Sequence, residues 1–164
     1  MESFHEYMGE YGKQLEKGAV QKAYRGLMDY IMALRTRFKT GYPEYSVSGN
    51  IYYGYMDMTY FALFPEALKA RNLKIAVVFI HSPFTFEAWL SGGNKDVQEK
   101  YWQLFKESGW RKYSLAPAVK GFDHIVSSTL SANPNFKDLD ALTKQIESGT
   151  LSFIKDIEGF LAKH

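Results

Sequence analysis

Asp57, Glu87 and Trp89, together with Tyr53 and Tyr55, are the side chains whose types and spacing could do chemistry. Residues 51–64 read as a strand, so alternation puts Tyr53, Tyr55, Asp57 and Thr59 on one face. Met56, Met58, Tyr60 and Ala62 then point the other way. On a strand through residues 86–90, Glu87 and Trp89 share a face opposite Phe86, Ala88 and Leu90. The economical pairing gathers Asp57, Glu87, Trp89 and the tyrosines on one polar-aromatic side and leaves plain hydrophobic core on the other. With strands adjacent in chain order, Asp57 and Glu87 lie two strands apart, about 9.5 Å between backbones. Their carboxylates would reach a shared metal ion or water without touching each other.

Two functions fit such a face. The first is non-enzymatic: a pocket lined by Tyr53, Tyr55, Asp57, Glu87 and Trp89 that takes a planar small-molecule ligand or a stacked base. The alternative is a metal-dependent hydrolase or nuclease-like enzyme using Asp57 and Glu87. The plain structural reading stands beside both. Asp57 then accepts hydrogen bonds from tyrosine hydroxyls or Arg71, and the tyrosines are core.

Other motifs assign no catalytic residue, metal ligand or cofactor. His5, His81, His124 and His164 are scattered, and no pair has metal-ligand spacing. Ser91-Gly92-Gly93-Asn94 precedes a helix, where free N–H groups can bind an anion, but it lacks the spacing of a phosphate-binding loop. Arg35, Arg37 and Lys39 near a helix end suit its dipole, with a phosphate patch as the functional alternative. No nucleophile elbow or kinase signature occurs.

The 164 residues carry no cysteine, which removes disulfides, Cys-ligated metals and thiol nucleophiles. A net charge of +2 provides no long-range field of the kind a dedicated nucleic-acid binder needs. The start, Met-Glu-Ser-Phe-His-Glu-Tyr, has neither the basic residues nor the apolar run of a signal peptide. No stretch approaches the ~20 apolar residues of a membrane helix. The expectation is a single cytoplasmic domain.

The elements that must position these residues follow from periodicity. Phe4, Tyr7, Met8, Tyr11 and Leu15 mark a first helix, weakened by Gly9 and Gly12. Val20, Tyr24, Leu27, Ile31, Leu34 and Phe38 mark a second, over 19–40. A homo-oligomer built on these long amphipathic helices is a further expectation about partners. Strands follow at 51–64, 74–81 and 86–90, the last two a hairpin around Ser82-Pro83-Phe84-Thr85. Pro65 opens a short helical turn. Asn94 caps a helix over 95–108, and Tyr113–Val119 reads as a fourth strand. If parallel to its neighbour, it makes a right-handed crossover. His124-Ile125-Val126 could start a short helix, and Ser131–Pro134 is loop. Leu139, Leu142, Ile146, Phe153, Ile157 and Phe160 or Leu161 form a final helical stripe, with Gly149 as a point of interruption. The fold class is α+β, an α/β sandwich with a mainly antiparallel sheet of about four strands.

The runs YYGYMDMTYFALFPEALKARNLKIAVVFIH, FEAWLSGGN and PNFKDLDALTKQIESGTLSFIKDIEGFL resemble a bacterial family of uncharacterised proteins of about this length. That resemblance covers nearly the whole chain and implies no activity. The order helix, three-strand meander, helix, strand also resembles a restriction-endonuclease-like core. That fold implies an acid on the second core strand and a carboxylate-x-Lys pair on the third. Here the second strand has no acid, and the third reads Glu87-Ala88-Trp89, which departs from the catalytic pattern.

Overall fold

Leu73–Ile80 is a nearly unbroken apolar run and forms β3, at the centre of the sheet. In the computed structural model, which describes residues 3–164, β3 pairs antiparallel with β2 (Met58–Phe64) and β4 (Thr85–Gly92). β1 (Ser46–Val47) adds to β2, and β6 (Val126–Ser131) pairs with β4 and with β5 (Ser114–Leu115). The order is β1-β2-β3-β4-β6-β5, every pairing antiparallel. The class is α+β, with six strands rather than four.

The described chain divides into two compact units, one ending at Thr36 and the other running Arg37–His164. The first holds α1 (Phe4–Lys17) and most of α2 (Ala19–Gly41). α1 begins with a capping box: Glu6 N–H donates to the Ser3 hydroxyl, and Ser3 N–H donates to the Glu6 carboxylate. It ends at Gly18 in the left-handed conformation. The second unit holds the sheet, α3 (Glu66–Lys69), α4 (Lys95–Ser108) and α5 (Leu139–Leu161).

One face of the sheet is dry. Thr59, Phe61, Leu63, Ile75, Val77, Phe79, Phe86, Ala88 and Leu90 are all buried there. α5 supplies Leu142, Ile146, Phe153 and Ile157 to the core, and Phe38 packs against Phe61 with ring centroids 6.0 Å apart. Gly149 does not interrupt α5. A Cβ there would meet Leu130 Cδ2 at 2.8 Å, so the missing side chain lets the helix approach β6 closely.

Three expected elements are corrected. Residues 51–57 are not strand. Tyr52 forms an isolated bridge with Tyr60, and 54–57 turn the chain back on itself. Gly54 takes φ +72, and a Cβ there would meet Met58 O at 2.1 Å. The second correction is β6, where a short helix and loop were expected. Val-Ser-Ser-Thr-Leu-Ser is poor in apolar residues because only Val126 and Leu130 must enter the core. The expected strand at 113–119 shrinks to Ser114–Leu115, and no parallel crossover forms. Gly54→Ala should destabilise the protein by about 1–3 kcal/mol, because a side chain forces the left-handed turn to strain. Urea unfolding checks this, and an unchanged midpoint would contradict the turn.

Candidate functional site

Ladder partners share a face, so the register decides which side chains meet. Tyr60 pairs with Val78, and Val78 with Glu87; Ala62 pairs with Ala76, and Ala76 with Trp89. Met58, Tyr60, Ala76, Val78, Glu87 and Trp89 therefore lie on the side opposite the α5-covered core, where Ala76 and Val78 are themselves buried. This reverses the expected parity of the first strand. Thr59 was assigned to the polar-aromatic side and is instead buried in the core. Met58, Tyr60 and Ala62 were assigned away from Glu87 and Trp89 and instead share their face. The cause is that Thr59 enters the core; unbroken alternation would have carried Tyr53, Tyr55 and Asp57 inward with it, and the turn at Gly54 takes them out of the strand instead.

The five residues expected at the site separate accordingly. Tyr53 projects to solvent, and Tyr55 is 93% exposed. Asp57 sits in the turn, where its Oδ1 accepts from Tyr55 N–H at 2.8 Å. Backbone hydrogen bonds from Tyr55 and then Met58 hold its carboxyl below the usual range. Glu87 accepts from Trp89 Nε1 at 2.9 Å, so these two do share a face and touch. Asp57 does not join Glu87. Its carbonyl pairs with His81 N–H, three residues beyond the Val78–Glu87 level. Three residues along and two strands across separate the two backbones by roughly 14 Å. No group of three His, Asp or Glu among the described residues is placed to hold a metal ion. The shared-metal geometry of the hydrolase alternative is therefore not formed.

The open face carries two adjoining concavities with Trp89 in the wall of both. One, about 340 Å³, is lined by Tyr52, Tyr60, Lys74, Ala76, Trp89 and Asp123 among others. The other, about 580 Å³, includes Asp57, Met58, Ile80, Trp89, Phe122 and His124. Tyr52 and Tyr60 rings lie 5.0 Å apart, and Lys74 Nζ lies 6.0 Å from the Tyr60 ring centre. His124 stacks on Trp89 with centroids 4.8 Å apart. Ser91 Oγ donates to the Asp123 carbonyl at 2.7 Å and ties the 116–125 loop over the sheet. Sequence reasoning missed Tyr60, His124 and Asp123. Alternation already sets Tyr60 opposite Thr59, and the burial of Thr59 is what puts Tyr60 on the face of Glu87 and Trp89. His124 and Asp123 come from a loop whose position only the fold decides.

Burial lowers the pKa of His124, with Glu87 opposing, and burial likewise lowers that of His81, with Asp57 opposing. His81 Nε2 lies 2.9 Å from Thr59 Oγ1, which donates to the Tyr53 carbonyl at 2.7 Å. The other sequence candidates are structural. Gly92 N–H donates to Gln98 Oε1, Gly93 N–H to the Asn72 carbonyl, and Val97 N–H to Asn94 Oδ1. These donors are therefore engaged within the chain. Arg37 pairs with Glu147, which also accepts from the Tyr42 hydroxyl.

An antiparallel α+β domain with one dry sheet face and one open aromatic face is thus the class of protein defined here. The chain belongs to a family described as a domain of unknown function (DUF7000), which matches residues 4–161. No curated protein and no solved structure matches it. No helix among the described residues is long and apolar enough to cross a membrane.

Both histidines favour the neutral form in the folded state. As pH falls below about 6.5, the unfolded chain takes up the proton first and stability drops. The expected urea midpoint is flat above that pH and declines from 6.5 toward 5, before the carboxylates titrate. His124→Gln should make the decline shallower. An equal midpoint at pH 7.5 and 5 in the unaltered protein would contradict the burial of these rings.

Proposed function

We propose that the protein is a non-enzymatic binding domain for a flat small molecule, held on the open sheet face between Tyr60 and Trp89. The observation that carries this reading is that Tyr60, Ala76 and Trp89 line one concavity, Tyr60 diagonal to the Ala76–Trp89 pair. Tyr60 and Trp89 stand two strands across and two residues along from each other, roughly 12 Å between backbones. Small Ala76 lies on the strand between them. Two aromatic walls over a low floor suit one planar ring, since stacking needs roughly 3.5 Å on each side.

Charge narrows the ligand. Asp57 and Asp123 line the concavities and Glu87 stands beside Trp89, against Lys74 as the nearby cation. A ring bearing an amine or other hydrogen-bond donors suits this lining better than one bearing a carboxylate. Glu87 orients the indole by accepting from its Nε1, so it acts on the ligand through Trp89.

Thermal melting with tryptamine and with indole-3-acetate tests the reading, because the two probes share a ring and differ in charge. Tryptamine in large excess should raise the midpoint by several degrees, and the acid by much less. Trp89→Ala should abolish the rise while leaving a cooperative transition, since Trp89 lies on the face away from the core. Absence of any shift with tryptamine, or a shift that survives Trp89→Ala, would overturn the proposed site.

A further inference from the structure

α1 has most of an apolar stripe in water, with Leu15 at its end half-buried. Phe4 is 79% exposed, Tyr7 57%, Met8 47% and Tyr11 52%, and no residue of the helix is buried. A 14-residue helix alone is marginal in water, and Gly9 and Gly12 cost this one about 1 kcal/mol each. Caps at both ends offset only part of that. The helix therefore calls for a partner surface.

We propose that the partner is a second copy of this chain, packed antiparallel along α1. The stripe Phe4, Met8, Tyr11, Leu15 has spacings of four, three and four. That spacing reads the same in both directions about the helix centre. In an antiparallel pair, Phe4 meets the other copy's Leu15 and Met8 meets its Tyr11, each twice by the two-fold axis. Tyr7 then flanks the seam near the other copy's Gln14. Gly9 and Gly12 have nothing within 4 Å of a built Cβ, so they add no bulk beside the seam. Glu6 and Glu10 lie in the first half of the helix, and in the second Lys13 and Lys17 outnumber Glu16. Antiparallel packing brings acidic half beside basic half and opposes the two helix dipoles.

The area is sufficient. With about 200 Å² per large side chain, the four exposed residues present roughly 450 Å² of apolar surface per copy. A standard interface buries about 800 Å² per partner, a little over half of it apolar. A single patch of this size also sits within the range that on a monomer commonly marks a binding surface.

Sedimentation equilibrium of the full chain should give twice the 18.9 kDa chain mass at tens of micromolar. Met8→Lys and, separately, Tyr11→Lys should each raise the dissociation constant at least tenfold without shifting the main thermal transition. The chain has no cysteine, so introduced pairs report orientation cleanly. Tyr7→Cys with Gln14→Cys in one chain should crosslink into a covalent dimer under mild oxidation, and Gln14→Cys alone should not. A monomer at every concentration, including one that instead binds anionic vesicles, would overturn the proposal. So would a dimer insensitive to both lysine variants. Crosslinking by Gln14→Cys alone would replace the antiparallel pairing with a parallel one.

Discussion

The hydroxyl of Thr59 holds together the part of the structure on which the open face depends. It donates to the Tyr53 carbonyl and meets His81 Nε2, so it links the 53–57 turn, the start of β2 and the end of β3. A buried hydroxyl without partners would be costly, and here both contacts lie within reach. Fixing Thr59 inward fixes Tyr60 outward. Every pairing across β3 and β4 then follows, because a one-residue slip in a strand moves all its side chains to the other face. The dry side cannot tolerate such a slip. Phe61, Leu63, Val77, Phe79, Phe86 and Ala88 would all face water.

The two faces divide labour. The dry one contributes stability through close-packed apolar surface, against which α5 is brought near by Gly149. The open one is paved with small residues between larger aromatic ones and is bordered by a loop rather than a helix. Polar groups on that side are tied to neighbours: Trp89 to Glu87, Ser91 to the Asp123 carbonyl, His124 against the indole. This arrangement leaves Trp89 oriented without being sealed. It also explains why the carboxylates do not act as a set. Glu87 is engaged by an indole N–H, and Asp57 is engaged by its own turn.

Membership of a family of unknown function places no chemistry on these residues, so the physical features have to do so. The nuclease-like reading fails on particulars. β3 presents no acid, and on β4 the residue two beyond Glu87 is a tryptophan that donates to it, where that chemistry would require a free cation. The aromatic face and the uncovered stripe of α1 are separate features on separate units of the chain.

Much of the fold was legible from local pattern. The apolar run of β3, the cap at Asn94 and the helical stripe of α5 all carry signals within a few residues of where they act. Glu87 beside Trp89 was legible too, because both lie on one uninterrupted strand. What the sequence could not settle was long-range. Fourteen residues from Ile51 to Phe64 look like one extended strand, and only pairing of Tyr52 with Tyr60 reveals the fold-back. β6 was hidden because a strand lying between β4 and β5 needs few apolar residues of its own. His124 reached Trp89 through a loop with no periodicity at all. Local sequence determines which face of an element is apolar. Only tertiary pairing decides where its alternation starts, because backbone hydrogen bonds to a distant strand set the register.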